Sequence, residues 1–259
     1  AYMVRQLKEC IKWIELQTGK KYDYDKLSEI MAYTKKAGEL RMEAIDMCAV
    51  KPAPASFFDW TTSLAPVNFV PGGPQIVSYF ETVKAEIAER VRVGEGAIPN
   101  EKYRLFWDGI MNWNKIGWLA NKFAGYNATM VAGRYTHMGF WHEHECIDVN
   151  DPLEGMAINY LVCPINLSAP LMIEEIIKLC KKFEIDGMVL HAARTCRAFS
   201  NPQYLIADAV QKRLGIPVAM IEGDMVDESF YKDELVNARL EAMMEAIEGK
   251  KRMIIPHAA

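Results

Sequence analysis

The feature that most limits what this chain can fold into is a change of texture after Pro99. From there on, short runs rich in β-branched and aromatic residues alternate with longer runs of helical period. That alternation is the signature of a parallel sheet with crossover helices. Strands are expected at residues 103–107, 129–133, 187–191 and 218–222, and helices at 116–124, 152–161, 170–183, 202–214 and 233–247. Several of these helices open on a proline, which suits a first turn whose backbone N–H groups have no partner inside the helix. The clearest units, 173–191 and 204–221, each read as helix, tight turn and strand. The expected fold class is therefore α/β, a flavodoxin-like or Rossmann-like parallel sheet with crossover helices.

The first hundred residues read as mainly helical. Val4, Leu7, Ile11 and Ile14 recur at threes and fours, and Gly19 closes that segment. Asp25 caps a second helix over about 26–49, and a third runs from Gln75 to about Val93, with Gly94 after it. Between them, residues 53–74 carry four prolines and no sustained period, as an ordered connector does. Residues 1–100 are thus expected as a helical connecting segment and 101–259 as an α/β domain.

Composition excludes several classes of function. A net charge of -4 with no basic block disfavours nucleic acid as a partner. The longest apolar runs fall far short of the roughly 20 residues that cross a bilayer, so no membrane span is expected. The opening Ala1-Tyr2-Met3-Val4-Arg5 has no signal-peptide character and reads like the middle of a gene product. Six scattered cysteines fit a reducing cytoplasm better than a disulfide scaffold. There is no Gly-x-x-x-x-Gly-Lys-Ser/Thr loop, no Gly-x-Gly-x-x-Gly after a strand and no Gly-x-Ser-x-Gly elbow. ATP, a dinucleotide and a hydrolase triad each lack their usual anchor.

Ligands of open α/β sheets bind beyond the carboxyl ends of the strands, which directs attention to His191-Ala192-Ala193-Arg194-Thr195-Cys196-Arg197. Cys196 falls between a strand end and the next helix, flanked by two arginines, and positive charge there favours the thiolate that a soft metal needs. Equally, Cys196 reads as a small buried residue whose neighbouring arginines pair with Asp224 or Asp227. The dense run His137 to Cys146, with His142 and His144, reads as a substrate-lining or surface loop rather than a metal site. Trp107, Trp113 and Tyr135 could wall a pocket or fill a core, while Trp118 reads as core. His137, His191 and Glu145 are candidates for proton transfer by position alone.

The elements Glu101-Lys102-Tyr103-Arg104-Leu105, Asp108-Gly109, Trp113, Tyr135-Thr136-His137 and Asp151-Pro152 come in this order. Asp186-Gly187, Arg194-Thr195-Cys196, Gln203, Gly215-Ile216-Pro217 and Glu222-Gly223-Asp224 follow. In order and spacing the chain resembles the C-terminal part of the 2-hydroxyacyl-CoA dehydratase and benzoyl-CoA reductase family. The opening Val4 to Glu9, Tyr135-Thr136 and the closing Val236 to Glu241 are more similar to the B-type chains of the reductase branch.

The resemblance implies a [4Fe-4S] cluster held by cysteines from two α/β domains, with Cys196 as the one ligand in this chain. The resemblance carries a role onto Cys196 only; His137 and His191 stay catalytic candidates, and Trp107, Trp113, Tyr135 and Arg194 substrate-side candidates, by position. The implied partners are a homologous second cluster subunit, a separate ATP-hydrolysing activator and an acyl-CoA substrate. The implied reaction is single-electron reduction of an aromatic acyl-CoA ring; the alternatives are dehydration of an (R)-2-hydroxyacyl-CoA through a ketyl radical, or a structural or electron-relay subunit without catalysis. A chain carrying Cys196 alone among the ligands is expected to hold little iron and to be inactive by itself.

Overall fold

The computed structural model describes residues 1–70, 72–138, 145 and 147–254. The expected alternation is present. β1 (Tyr103–Asp108), β2 (Ala128–Gly133), β3 (Gly187–Ala193) and β4 (Val218–Gly223) form one parallel sheet in the order β2-β1-β3-β4. Each strand begins and ends within two residues of its expected place. The paired registers include Leu105 with Met130, Leu105 with Gly187 and Val189 with Ala219. All six residues of β1 and of β2 are buried. Burial on both faces explains why these strands read as continuous apolar runs rather than alternating ones.

Helices cover both faces. α9 (Ala169–Lys182) and α11 (Gln203–Leu214) bring Ile176, Ile177, Cys180, Ile206 and Val210 against Phe106, Met188 and Leu190. On the opposite face, α6 (Ile116–Gly125) and α12 (Asp233–Ile254) pack Leu119, Phe123, Val236, Leu240 and Ile247 against Leu105, Trp107 and Val189. Gly187 permits this closeness, since a Cβ there would lie 2.5 Å from the Cδ1 of Ile247. α12 extends to Ile254, past the expected end at 247, because Lys250 and Lys251 still find partners, the carbonyl of Gly215 at 3.0 Å and Asp186 at 2.8 Å.

The first hundred residues are helical as expected. α1 (Tyr2–Thr18) ends on Gly19 at φ 64°, and Asp23 caps α2 (Tyr24–Met47). α5 (Pro74–Val93) lies along α2, packing Ile76 and Phe80 on Ala37 and Leu40. The connector is not irregular throughout. It holds α3 (Phe57–Thr62) and α4 (Leu64–Phe69), the first opened by a reciprocal capping box of Ser56 and Asp59. Buried Arg104 ties the helical part to the sheet, donating to the carbonyls of Cys48 at 2.9 Å, Val50 at 2.7 Å and Phe183 at 2.7 Å and pairing with Glu101 at 3.0 Å.

Between β2 and β3 lie α7 (Arg134–His137) and α8 (Pro152–Leu161) before α9. The chain thus leaves β1 for β2 on one side and returns to β3 on the other. The switch point of a doubly wound sheet therefore lies between the carboxyl ends of β1 and β3. Among the described residues, no helix is long and apolar enough to cross a membrane.

Candidate functional site

Asp108 closes β1 inside the protein, fully enclosed, and Arg134 at the start of α7 is equally enclosed. Arg134 Nε approaches Asp108 Oδ1 to 2.7 Å, and its second guanidinium nitrogen donates to Asp108 Oδ2 at 3.1 Å. Burial pushes the Asp108 carboxyl above its ordinary range, while Arg134 and Gln203 pull it down. Arg134 also donates to the Phe199 carbonyl at 2.8 Å and stacks its guanidinium 4.4 Å from the Phe199 ring centroid. Gln203 Nε2 bridges Asp108 Oδ2 at 3.1 Å and the His191 carbonyl at 3.0 Å. One buried network thus joins the ends of β1, β2 and β3 to the helices that follow Cys196.

Cys196 follows the carboxyl end of β3, between that strand and α11. Its backbone N–H donates to the Ala193 carbonyl at 3.2 Å, and it stands immediately before α10 (Arg197–Ser200), whose last residue donates from Oγ to the same carbonyl at 2.8 Å. The thiol is free and half-buried. Before it, Thr195 Oγ1 donates to Asp224 Oδ2 at 2.5 Å, and the amides of Val226 and Asp227 donate to Asp224 Oδ1 at 3.2 Å each. These donors hold the Asp224 carboxyl down at about 2.

The other described cysteines differ. Burial pushes the thiols of Cys48 and Cys180 up to about 12 and raises that of Cys163, so all three stay protonated, while Cys10 is exposed on α1. Cys146 and the histidines 142 and 144 of the dense run lie outside the described residues. Among the described residues, no three His, Cys, Asp or Glu side chains gather as a metal site. Among the described cysteines, Cys196 is the one that combines partial exposure with a position just after a strand; a cluster needs several ligands.

The aromatic candidates separate. Tyr135 packs edge-on to Trp113 at 6.4 Å and to Phe199 at 5.8 Å. Burial raises the Tyr135 phenol above its ordinary value. Trp113 is 40% exposed and faces outward. Trp107 is fully enclosed, stacked on Phe57 at 5.9 Å and donating to the Gly109 carbonyl at 3.2 Å, so it stands in the core. Trp118, expected as core, packs edge-on to Tyr231 at 5.9 Å.

His137 and His191 are enclosed as well. His191 Nδ1 lies 2.7 Å from the Ile110 carbonyl, and a carbonyl only accepts, so Nδ1 carries the hydrogen. Burial lowers the His191 pKa, leaving a neutral ring whose Nε2 has no partner among the described residues. His137 contacts Thr136 Oγ1 at 2.6 Å, and burial with the charge of Arg41 pushes it down to about 3. Glu145 is exposed. Arg194 stacks 4.6 Å from the Phe230 ring centroid and reaches Glu222 at 3.8 Å rather than Asp224 or Asp227. Arg134 carried no role in the sequence; the signal available was a lone acid, Asp108, ending the apolar run Leu105-Phe106-Trp107, which demands a buried cation.

A parallel sheet of order β2-β1-β3-β4 with helices on both faces defines the class, a doubly wound α/β protein. Within that class, the chain belongs to the family described as 2-hydroxyglutaryl-CoA dehydratase, D-component, which matches residues 1–247. It is similar to the benzoyl-CoA reductase B-subunit of Thauera aromatica, with 30% identity over 96% of this chain and 60% of that protein. It is also similar to the (R)-2-hydroxyisocaproyl-CoA dehydratase alpha subunit of Clostridioides difficile, with 27% identity over 97% and 61%. The (R)-phenyllactyl-CoA dehydratase alpha subunit of Clostridium sporogenes matches at 25% over 96% and 60%. The chain spans about 60% of the length of these relatives.

Proposed function

We propose that this chain is the Cys196-bearing part of an iron-sulfur subunit in an ATP-dependent acyl-CoA reductase of the benzoyl-CoA reductase type. The observation that carries the reading is the position of Cys196: an accessible thiol just after the carboxyl end of β3 in a parallel sheet, in a chain that belongs to this family. Cys196 would give one thiolate to a [4Fe-4S] cluster, with further ligands from outside the described residues. The cluster, when bound, supplies single electrons at low potential. Residues 101–259 then form the cluster-bearing domain and 1–100 the helical connecting segment.

The chain's own residues prepare that edge. Thr195 and Asp224 fix the backbone before the thiol, and Arg134 fixes α10 after it through the Phe199 carbonyl. Tyr135 and Trp113 offer an aromatic wall against which a flat acyl group can pack while water is excluded. A homologous second cluster subunit, a separate ATP-hydrolysing activator and an acyl-CoA substrate complete the assembly, in the cytoplasm. The lack of a phosphate-binding loop in this chain fits a separate activator.

A second reading is favoured by the family description and by the dehydratase alpha subunits among the relatives. In it the same edge serves an (R)-2-hydroxyacyl-CoA dehydratase that works through a ketyl radical. Turnover by the assembled complex with its activator decides between them: consumption of benzoyl-CoA with no dehydration of (R)-2-hydroxyacyl-CoA supports the reductase, and the reverse overturns it. Equal iron content and an equal low-temperature spin signal in Cys196→Ala and the parent would remove the cluster role and leave a structural subunit.

A further inference from the structure

We infer that His191 is a positioning residue: it clamps the Trp113-bearing loop of residues 109–115 onto β3 and so sets the spacing between the aromatic wall and Cys196. This deepens the reading above and rests on it for the role of that wall. Two residues after Val189, His191 shares that residue's face of β3, the one packed against α6 and α12. Its ring is fully enclosed, with the Trp107 ring centroid 5.6 Å away. A side chain so enclosed does not touch a ligand and acts through what it holds. Its Nδ1–H donates to the Ile110 carbonyl at 2.7 Å.

Gly109 brings the two chains close enough for this bond. It turns the backbone after β1 at φ 115°, and a Cβ there would stand 2.4 Å from the His191 carbonyl oxygen. Gln203 seals the same junction, donating to the carbonyls of Asp108 at 3.3 Å and His191 at 3.0 Å. Beyond Ile110 the loop buries Met111 and Asn112 and then exposes Trp113, whose amide donates to the Met225 carbonyl at 3.0 Å. Asn114 reaches the Val226 carbonyl on that same loop after β4. Gln203 thus stops at the end of β1, and the ties of Trp113 and Asn114 lead to β4. Among the described residues, the hydrogen bond from His191 is the one that reaches the Trp113 loop from β3, the strand that leads into Cys196. Proton transfer suits this ring less well. Nδ1 gives its hydrogen to an amide carbonyl, which takes up no proton, and Nε2 stands beside Gly223, where a Cβ would come within 2.8 Å of it.

The test compares His191→Asn and His191→Gln with the parent, thermal melting first checking that each variant is folded. An asparagine amide can place its N–H where Nδ1 stands, whereas a glutamine amide extends to the place of Nε2. Hydrogen exchange, followed by mass spectrometry, then reads the Trp113 loop. Its amides are expected to exchange roughly two- to tenfold faster in His191→Gln, the worth of one hydrogen bond, and at the parent rate in His191→Asn. The amides of β1 and β4 are expected to keep their protection in both. Equal exchange of the loop in parent and His191→Gln, or faster exchange spread evenly over the sheet, overturns the proposal. Nitrogen NMR of the parent needs no variant: a hydrogen on Nε2 rather than Nδ1 also overturns it. In the assembled complex with its activator, His191→Gln is expected to raise KM for benzoyl-CoA roughly two- to tenfold, with a smaller effect on kcat, and His191→Asn to restore it. A loss confined to kcat in both variants overturns the proposal and makes the ring a proton carrier. If the complex turns over no benzoyl-CoA, the reductase reading fails, and loop exchange in the chain itself still decides the role of His191.

Discussion

Thr195 Oγ1 and Asp224 Oδ2 lie 2.5 Å apart, joining the residue before Cys196 to the residue after β4. The contact fixes the loop from outside, because Asp224 is itself held by two backbone amides. With its carboxyl held at about 2, Asp224 stabilises the fold while ionised. The folded value lies below the ordinary carboxylate value of about 3.9, so that stability is complete above about pH 4 and is lost as pH falls towards 2. Asp224→Asn is expected to lower the melting temperature at pH 7 and to narrow its gap from the parent below pH 3, followed by circular dichroism.

His137 and His191 add a separate acid window. Both are depressed by burial, His137 to about 3, whereas an unfolded chain protonates them near 6.5. Depressed histidines leave the unfolded state with more bound protons, so stability falls as pH drops below about 6.5. One such histidine contributes a slope of about 1.4 kcal/mol per pH unit between its two pKa values. His137→Gln is expected to reduce the slope by about one proton between pH 6 and 4.5 in urea titrations; an unchanged slope would mean that His137 is not the group responsible.

Arg134 and Asp108 form a buried pair whose loss is asymmetric. Arg134→Met leaves an enclosed carboxyl without its cation, which costs about 3–5 kcal/mol at pH 7. Since burial favours the protonated acid, the penalty should shrink as pH falls to 5. Denaturant midpoints at the two pH values check this; a penalty independent of pH counts against an ionised Asp108 in the variant.

Gly109 takes φ 115° directly after β1, and a Cβ there would stand 2.4 Å from the His191 carbonyl oxygen. The obstacle is backbone, so it cannot swing aside. Gly109→Ala is expected to destabilise by about 2 kcal/mol or more, from strain alone on the order of 1–3 kcal/mol. A chemical denaturation curve matching the parent would refute it.

Thiol access gives the simplest check on the site. Iodoacetamide should label Cys196 and Cys10 in the native protein and spare Cys48 and Cys180 until the chain is unfolded. Peptide mass mapping reads the outcome, and labelling of Cys48 ahead of Cys196 would reverse the assignment of access.

The strands were legible because burial on both faces writes them as compact apolar runs, as in Leu105-Phe106-Trp107, and the turns Gly187 and Gly215-Ile216-Pro217 mark their starts. The place of Cys196 after β3 followed from the same pattern. α3 and α4 were not legible, because six residues are too few to show a helical period. Nor was the direction of Trp107: adjacent strand residues face opposite sides of a sheet, and which side holds the core depends on which strands pair. Arg134 was invisible for a related reason, since its partner Asp108 is 26 residues away in the chain and adjacent only once β1 and β2 align.

The pairing of Leu105 with Gly187 has a consequence for synthesis. β1 leaves the ribosome some eighty positions ahead of the strand that must cover its second edge, while β2 covers only the first. Until β3 emerges, a row of unpaired amides and carbonyls from Tyr103 to Asp108 stands open, and the nascent chain must be shielded or risk pairing with a stranger. The seam at the switch point thus stays open until β3 emerges, and only the seam between β3 and β4 closes later.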